Sequence, residues 1–363
     1  MHTPTPTLSK QLPVQSITIE EGPTFVCNFI DDRAKALGIG GADTGTPLVN
    51  GSQLWLIFGD IKGIVSSPTA GALPVVGSSA VIERNVLQPA IDCSSYSWLT
   101  SRGKFYEPIH SARKVGSDSS TVAQGVISVK TNNYVYATQV EYWANKSPTN
   151  LTIAHGVLFK QTAGSFTEVA RWPTDQLHVN TGPVAGQLPD GTQAILMVTS
   201  GKYRQTPVYL AYVLPEDIEA PASYRYLTGY DQDGSPVWTS DMGQAKPIPG
   251  FENVLAGEMS FLYDVPLKTY LLMFVDYSEK NSGLSLYSSS NPYGPFYGPV
   301  NLAPCGTPGK WPQWMESRWY GCYGGYMLPD SFGVDGHDLY FDLSVWNPYT
   351  TVLMKMRINS SST

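Results

Sequence analysis

The sequence has few charged residues and no long hydrophobic run. Asp, Glu, Lys and Arg make up only 15 % of the 363 residues, and the net charge is −7. Because no basic stripe is present to meet phosphate groups, we expect no nucleic-acid partner. Because no stretch approaches about 18 apolar residues, we expect no membrane-spanning helix.

The signatures of several enzyme classes are also absent from the sequence. It contains no GxSxG, HExxH or phosphate-binding glycine loop and no Ser-His-Asp order, which disfavours esterase, metalloprotease and nucleotide chemistry. The four cysteines, Cys27, Cys93, Cys305 and Cys322, have no CxxC spacing, so zinc is not expected. We therefore expect no metal and no cofactor, and one or two disulfides whose pairing the sequence leaves open.

Turn-forming and aromatic residues are abundant, with 34 Gly, 28 Pro and 22 Tyr. Apolar runs of strand length recur between turn signals, among them QLWLIF (53–58), YVYATQVEYW (134–143) and YLLMFVDY (270–277). Almost none has the roughly 3.6-residue period of a helix. Hairpin turns are predicted at Asn50-Gly51, Pro189-Asp190-Gly191, Asp233-Gly234 and Asp335-Gly336. The pattern predicts an all-β fold.

Five stretches share an entry of small residues into a strand: GGADTGTP, STVAQGVISV, NTGPVAGQ, VLAGEMSF and YGGYMLPD. They recur roughly every 60–80 residues, the size of one four-stranded propeller blade with long loops. Such spacing fits a sandwich pair, a β-helix or a propeller, and the five entries favour a single five-bladed β-propeller in which these stretches are the innermost strands. Residues 1–37 would contribute the strand or strands that close the ring, and 359–363 would be a tail.

The order of motifs resembles a family long described only as a domain of unknown function. The matching pieces are GADTGTPLVNGSQLWLIFGD, GVISVKTNNYVYATQVEYW, SGKYRQTPVYLAYV, AGEMSFLYDVPLKTYLLMF, NPYGPF and YGGYMLPDSFGVDGHDLYFDLSVWNPYTTVLMKM, of which the first and last are distinctive. The resemblance covers about residues 38–358 and implies a five-bladed propeller over them, with two known activities. Some bacterial members are endo-D-arabinanases that use first-blade aspartates, and some fungal members are hetero-Diels–Alderases of tropolone–sesquiterpenoid biosynthesis.

Asp43 and Asp60 match the hydrolase-type positions. A turn at Asn50-Gly51 brings residue 43 roughly opposite residue 58, so both carboxylates are expected at one end of the hairpin, about 7–8 Å or more apart. Two carboxylates that flank a glycosidic bond can serve as an acid and as a base or nucleophile. The alternative is that both aspartates brace the hairpin as Asx turns do.

Two departures from the hydrolase pattern favour the other activity. Ala123-Gln124-Gly125 replaces Pro-Thr-Gly, and Leu328-Pro329-Asp330 replaces His-Pro, so groups suited to sugar hydroxyls are lost and Leu328 adds an apolar surface. The leading hypothesis is a cofactor-free fungal enzyme that joins a tropolone o-quinone methide to a humulene-type sesquiterpene. The alternative hypotheses are a secreted endo-acting glycoside hydrolase and a non-catalytic carbohydrate-binding propeller. In either enzyme the partners are small-molecule substrates.

Further candidates complete the predicted site. Glu258 is expected to face the channel and to pair with Lys202 or Arg204, and the alternative is a structural salt bridge. Lys202, Arg204 and Lys62 are the candidate donors to a carbonyl oxygen. The other predicted substrate-binding residues are Gln124, Tyr142, Tyr326, Leu328 and His110, the last with a surface-loop alternative. Trp55, Trp143 and Trp346 are expected to be core residues.

Four Asn-x-Ser/Thr sequons are present, at Asn50, Asn145, Asn150 and Asn359. Asn50 is already explained by its turn, whereas NKSPTNLT places Asn145 and Asn150 in one polar loop. Because the first residues lack an apolar signal core, the start resembles a mature or trimmed N-terminus. We expect a glycoprotein of the secretory pathway or the extracellular space.

Overall fold

The computed structural model describes residues 15–64, 75–77, 79–85, 91–109, 120–162, 165–278, 283–303, 321–329, 338–346 and 348–362. Strands account for 61 % and helices for 7 % of the described residues, in five sheets arranged as the blades of a propeller. The predicted fold class is confirmed. No helix within the described ranges is long and apolar enough to cross a membrane.

The strands follow one another around the ring in chain order. Strand β1 (Gln15–Asn28) and helix α1 (Asp32–Ala36) precede blade 1, which contains β2 (Ile39–Asn50), β3 (Gln53–Gly63), β5 (Ala80–Asn85) and β6 (Ser97–Trp98), with β4 (Val75–Gly77) beside β3. A small hairpin of β7 (Thr100–Ser101) and β8 (Lys104–Phe105) follows. Blade 2 contains β9 (Thr121–Val129), β10 (Asn132–Tyr142), β11 (Ile153–Thr162) and β12 (Ser165–Arg171).

Blade 3 has five strands, β13 (Asn180–Gln187), β14 (Gln193–Ser200), β15 (Tyr209–Val213), β16 (Arg225–Tyr230) and β17 (Pro236–Thr239). Blade 4 contains β18 (Ala256–Asp264), β19 (Thr269–Asp276), β20 (Gly283–Ser289) and β21 (Tyr297–Ala303). Blade 5 contains β22 (Cys322–Met327), β23 (Asp338–Val345) and β24 (Thr350–Ser362), with β1 as its outer strand. The innermost strands β2, β9, β13, β18 and β22 contact one another in this order, and β22 contacts β2.

The ring closes in blade 5, where the first and last strands of the described chain pair. β1 and β24 are antiparallel, with Gln15 opposite Ser362 and Asn28 opposite Val352. This confirms the predicted seam, which leaves β24 no free edge. A disulfide between Cys27 and Cys93 (Cα–Cα 5.8 Å) then joins β1 to the outer part of blade 1. Cys322 is also disulfide-bonded.

The small-residue entries have a packing cause, because the innermost strands approach closely around the channel. A Cβ on Gly125 would lie 2.4 Å from the Thr181 carbonyl oxygen and 2.3 Å from Cδ of Pro183. A Cβ on Gly182 would lie 3.0 Å from the Met259 carbonyl oxygen. Larger side chains at these positions would push neighbouring blades apart.

The predicted hairpin turns within the described residues are confirmed. Asn50 pairs with Gln53 around Gly51, which has a φ of 64° that glycine adopts without strain. Gly191 lies in the turn between β13 and β14, and Gly234 in the turn between β16 and β17. The turn predicted at Asp335-Gly336 lies outside the described residues. The domain boundaries at 37/38 and 358/359 stay a prediction.

Candidate active site

Charged and phenolic side chains gather at one end of the channel, where the innermost strands begin and the second strand of each blade ends. We call this cluster the polar mouth. It consists of Asp43, Asp60, Lys62, Tyr203, Arg204, Glu258, Tyr277, Tyr323 and Tyr349. Since the innermost strands are parallel to one another, their first residues meet at the same face of the propeller.

Asp43 lies against the main chain of Asp60. Bulges interrupt the pairing of β2 with β3 on both sides of Thr44, which has a φ of 57° and lies opposite Phe58. The bulges turn the Asp43 carboxylate so that Oδ1 accepts a 2.7 Å hydrogen bond from the Asp60 N–H. The two aspartates share one end of the hairpin, as the turn predicts, but regular pairing predicts neither the bulges nor this direct bond.

Burial raises the pKa of Asp43 to about 7, and the negative charge of Asp60 contributes in the same direction. Hydrogen bonds from Tyr349 and from the Asp60 N–H oppose this rise. Burial also raises the pKa of Asp60, but the positive charge of Lys62, whose Nζ lies 4.0 Å from Asp60 Oδ2, opposes it. Asp43 is therefore the carboxyl of the pair that retains a proton near neutral pH.

Glu258 forms the second charged group of the mouth, at the start of blade 4. It is only 1 % exposed, and its Oε1 accepts 2.7 Å hydrogen bonds from Arg204 Nη2 and from the Tyr203 hydroxyl. Burial by itself would raise the pKa of Glu258, but the Arg204 charge and these hydrogen bonds lower it overall. Arg204 is one of the two partners expected for Glu258, whereas Lys202 is exposed.

Tyrosine rings hold Arg204 in place. Its guanidinium carbon lies 4.7 Å from the Tyr203 ring centroid, 4.9 Å from that of Tyr277 and 5.0 Å from that of Tyr323. The Tyr323 hydroxyl also donates to Asp43 Oδ2 at 3.2 Å, so one ring links the two charged groups. These contacts fix the cation before any ligand arrives.

The sequence analysis did not single out these tyrosines. Their position in the chain could have identified them, because Tyr203 and Tyr277 lie within three residues after the second strand of their blades. Tyr349, after the second strand of blade 5, donates its hydroxyl to the Asp60 carbonyl oxygen at 3.4 Å. Its ring also lies 5.3 Å from Lys62 Nζ.

Trp346 corrects a prediction, because it is not a core residue. It follows β23 and is 60 % exposed. Its ring centroid lies 6.2 Å from that of Tyr323 and 5.7 Å from that of Tyr349. Trp55 is buried, as expected, and Trp143 is half-buried against Tyr203, with ring centroids 5.9 Å apart.

Two predicted binding residues lie elsewhere in the channel. Gln124 and Tyr326 line a cavity of about 290 Å³ toward the opposite end, together with apolar residues such as Phe261 and Met327. The Tyr326 hydroxyl donates to Gln124 Oε1 at 3.3 Å. The negative charges of Glu258 and Asp43 still act on Tyr326, where they add to burial in raising the pKa of its phenol.

The prediction that Leu328 binds substrate is wrong, because its side chain is not exposed to a pocket. It is fully buried in the hydrophobic cluster that includes Phe29, Leu56 and Leu353, and its main-chain N–H donates to the Tyr340 carbonyl oxygen. Tyr142 is exposed at the end of β10, and Asn145 and Asn150 are exposed in the following loop. His110 lies outside the described residues.

Among the residues that the structure describes, no group of three or more His, Cys, Asp or Glu side chains is arranged to hold a metal ion. The side chains of the polar mouth offer three carboxyl groups, two cations and several phenol groups.

A family model described as "Domain of unknown function (DUF4185)" matches residues 30–355. No curated protein matches the chain. A candidate hydrolase from Bacteroides ovatus has a similar structure, with a TM-score of 0.60 and 15 % identity over 89 % of this chain and 87 % of that chain.

Two further solved structures are similar in outline. An exo-β-1,3-galactanase from Phanerochaete chrysosporium has a TM-score of 0.50 and 11 % identity over 92 % of this chain and 64 % of that chain. An arabinanase from Bacillus subtilis has a TM-score of 0.45 and 12 % identity over 87 % of this chain and 96 % of that chain. At the identities of the first two structures, the similarity concerns the fold alone.

Proposed function

The chain belongs to the DUF4185 family, and from this premise we propose that it is a glycoside hydrolase whose general acid is Asp43. The observation that carries the proposal is the buried pair of Asp43 and Asp60, in which the pKa of Asp43 is raised to about 7. A carboxyl that keeps its proton beside an ionised carboxylate is what glycosidic bond cleavage requires.

The proposed reaction uses the two carboxyls in different roles. Asp43 donates its proton to the oxygen of the leaving sugar, while ionised Asp60 acts as the base or nucleophile at the anomeric carbon. The Tyr323 hydroxyl, which donates to Asp43 Oδ2 at 3.2 Å, orients the acid. It also stabilises the Asp43 carboxylate that remains once the proton has left.

The charges of the mouth support an uncharged saccharide as the substrate. Lys62 lies 4.0 Å from Asp60, and Arg204 lies 2.7 Å from Glu258. Each cation therefore already has its carboxylate, and a substrate anion would find no spare positive charge. Sugar hydroxyls, in contrast, can share these polar groups without displacing either pair.

The cycloaddition hypothesis finds less support at this site. Of the two departures that favoured it, Leu328 is a core residue, and Gln124 is buried and accepts a hydrogen bond from Tyr326 in the cavity toward the opposite end of the channel. Neither position contacts the polar mouth in a described interaction. Sequence resemblance alone supports this hypothesis, and the same experiment tests it.

The experiment incubates the protein with D-arabinan and with β-1,3-galactan and measures released reducing ends. Wild type should cleave at least one of them, and Asp43→Asn should lower kcat by about 10²–10⁴-fold, the usual contribution of general acid catalysis. Exposed Asp233→Asn is the matched control and should leave kcat unchanged. The rate should also fall as pH rises through about 7, because Asp43 then loses the proton it must donate.

Two other outcomes would contradict the proposal. Binding of either glycan without product would favour a carbohydrate-binding propeller. Formation of an enantioenriched adduct from a quinone methide and humulene, undiminished by Asp43→Asn, would favour the cycloaddition enzyme.

A further inference from the structure

Trp346 exposes an unusually large apolar surface at the rim of the polar mouth. The side chain is 60 % exposed, yet it is held in a defined place. The main-chain N–H of Trp346 donates to the Gly321 carbonyl oxygen at 3.2 Å, and the ring centroid lies 6.2 Å from that of Tyr323 and 5.7 Å from that of Tyr349. A fixed aromatic surface that remains in water is a feature of binding sites rather than of cores.

The two tyrosines place Trp346 next to both acids. The Tyr323 hydroxyl donates to Asp43 at 3.2 Å, and the Tyr349 hydroxyl donates to the Asp60 carbonyl oxygen at 3.4 Å. One side chain therefore separates the indole from each aspartate. A ring stacked on the indole would lie beside the bond that these acids act upon.

A second tryptophan lies across the mouth. Trp143, at the end of blade 2, packs edge-on against Tyr203, whose hydroxyl donates to Glu258 at 2.7 Å. Because the five innermost strands contact one another in chain order, blade 5 faces the boundary between blades 2 and 3. A line from Trp346 to Trp143 thus crosses the mouth between Asp43 on one wall and Glu258 on the other.

We propose that Trp346 and Trp143 are stacking platforms at the two ends of this line, each holding one sugar ring of a saccharide that lies across the mouth. The inference rests on the proposed function and adds the residues that position the substrate. The C–H face of a sugar ring is apolar while its edge carries hydroxyls. An indole offers such a face a large rigid surface at little cost in conformational entropy.

The test first measures binding without turnover. In the Asp43→Asn background, arabino-oligosaccharide and β-1,3-galacto-oligosaccharide are titrated by calorimetry and by tryptophan fluorescence. Trp346→Ala should weaken the affinity about tenfold, which corresponds to about 1.4 kcal/mol and lies within the range of an aromatic contact, and Trp346→Phe should recover part of it. Tyr263→Ala is the control, since Tyr263 is 40 % exposed and lines the cavity toward the opposite end of the channel.

Steady-state kinetics on the otherwise unmodified enzyme then separate positioning from folding. Trp346→Ala should raise KM about tenfold with a smaller change in kcat, and Trp143→Phe should have a similar effect on chains long enough to reach it. Unchanged KM and affinity in Trp346→Ala, with wild type cleaving the glycan, would overturn the platforms and leave the hydrolase standing. Binding that depends on Trp346 without any cleavage would support the platforms and overturn the hydrolase. Absence of both binding and cleavage would overturn both.

Discussion

At the scale of single residues, the burial of two carboxyl groups at the polar mouth lowers the stability of the fold. Asp43 is 8 % exposed and Asp60 is 5 % exposed, and burial disfavours the charged form of both. A chain selected for stability alone would place apolar residues here. Buried acids with raised pKa values are common where a protein performs proton transfer.

The ionisation of Asp43 predicts how stability depends on pH. Its pKa is about 7 in the folded chain and 3.8 ordinarily, so between these values the folded state binds more protons than the unfolded state. The free energy of unfolding should therefore fall as pH rises from about 4 to about 7. At about 1.4 kcal/mol per pKa unit, the cost above pH 7 is on the order of 4 kcal/mol.

Asp43→Asn removes this titration. We expect the variant to gain stability over wild type as pH rises from 4 to 8, measured as the midpoint of urea unfolding at each pH. Asp233→Asn, an exposed turn residue, should follow wild type throughout. If the stability of wild type instead increases between pH 4 and pH 8 in parallel with that of Asp43→Asn, then Asp43 does not hold a proton in the folded state.

At the scale of strands, the position of the acid depends on the bulges of β2 and on a glycine in β3. A Cβ on Gly59 would lie 2.5 Å from Asp43 Oδ1, 2.9 Å from Thr44 Oγ1 and 3.0 Å from Val122 Cγ1. The hairpin therefore admits the carboxylate only because Gly59 has no side chain. This contact between neighbouring strands sets the geometry of the catalytic pair.

Gly59→Ala should accordingly displace the Asp43 carboxylate while leaving its chemistry intact. We expect a loss of about 10²-fold in kcat, since displacements near 1 Å have such effects, and a loss of about 1–3 kcal/mol in stability from overpacking. Gly22→Ala is the matched control, because a Cβ there has no atom within 4 Å. Full activity in Gly59→Ala would show that the position of Asp43 is not critical.

The strands and turns could be predicted from sequence because their signals are local. Asn50-Gly51 specifies its own turn, and alternating apolar residues specify strands. The burial of Leu328 could not be predicted, because it depends on how blade 5 meets blade 1 across some 300 residues of chain. The exposure of Trp346 could not be predicted, because it depends on β23 ending at the residue before it. The bulge at Thr44 was missed since the strand pattern around it is continuous.

At the scale of the whole molecule, the polar mouth is assembled from blades 1, 3, 4 and 5, so its geometry depends on the closure of the ring. Blade 5 supplies the tyrosines that contact Asp43 and Asp60, and it is completed by the pairing of β1 with β24. The Cys27–Cys93 disulfide fastens that seam to blade 1 across 66 residues. A crosslink over a loop of this length typically stabilises by about 2–4 kcal/mol.

This disulfide and the exposed sequons bear on where the protein folds. We propose that it folds in the secretory pathway, because disulfides persist in oxidising compartments and Asn145 and Asn150 are accessible to glycosylation. Expression in a eukaryotic host with a secretion signal should add endoglycosidase-sensitive mass, which Asn145→Gln combined with Asn150→Gln should reduce. Cys27 and Cys93 should resist alkylation until reductant is added, and reduction should lower the unfolding midpoint. A chain purified from its native source with free thiols at Cys27 and Cys93 and without glycan would place the protein in the cytosol.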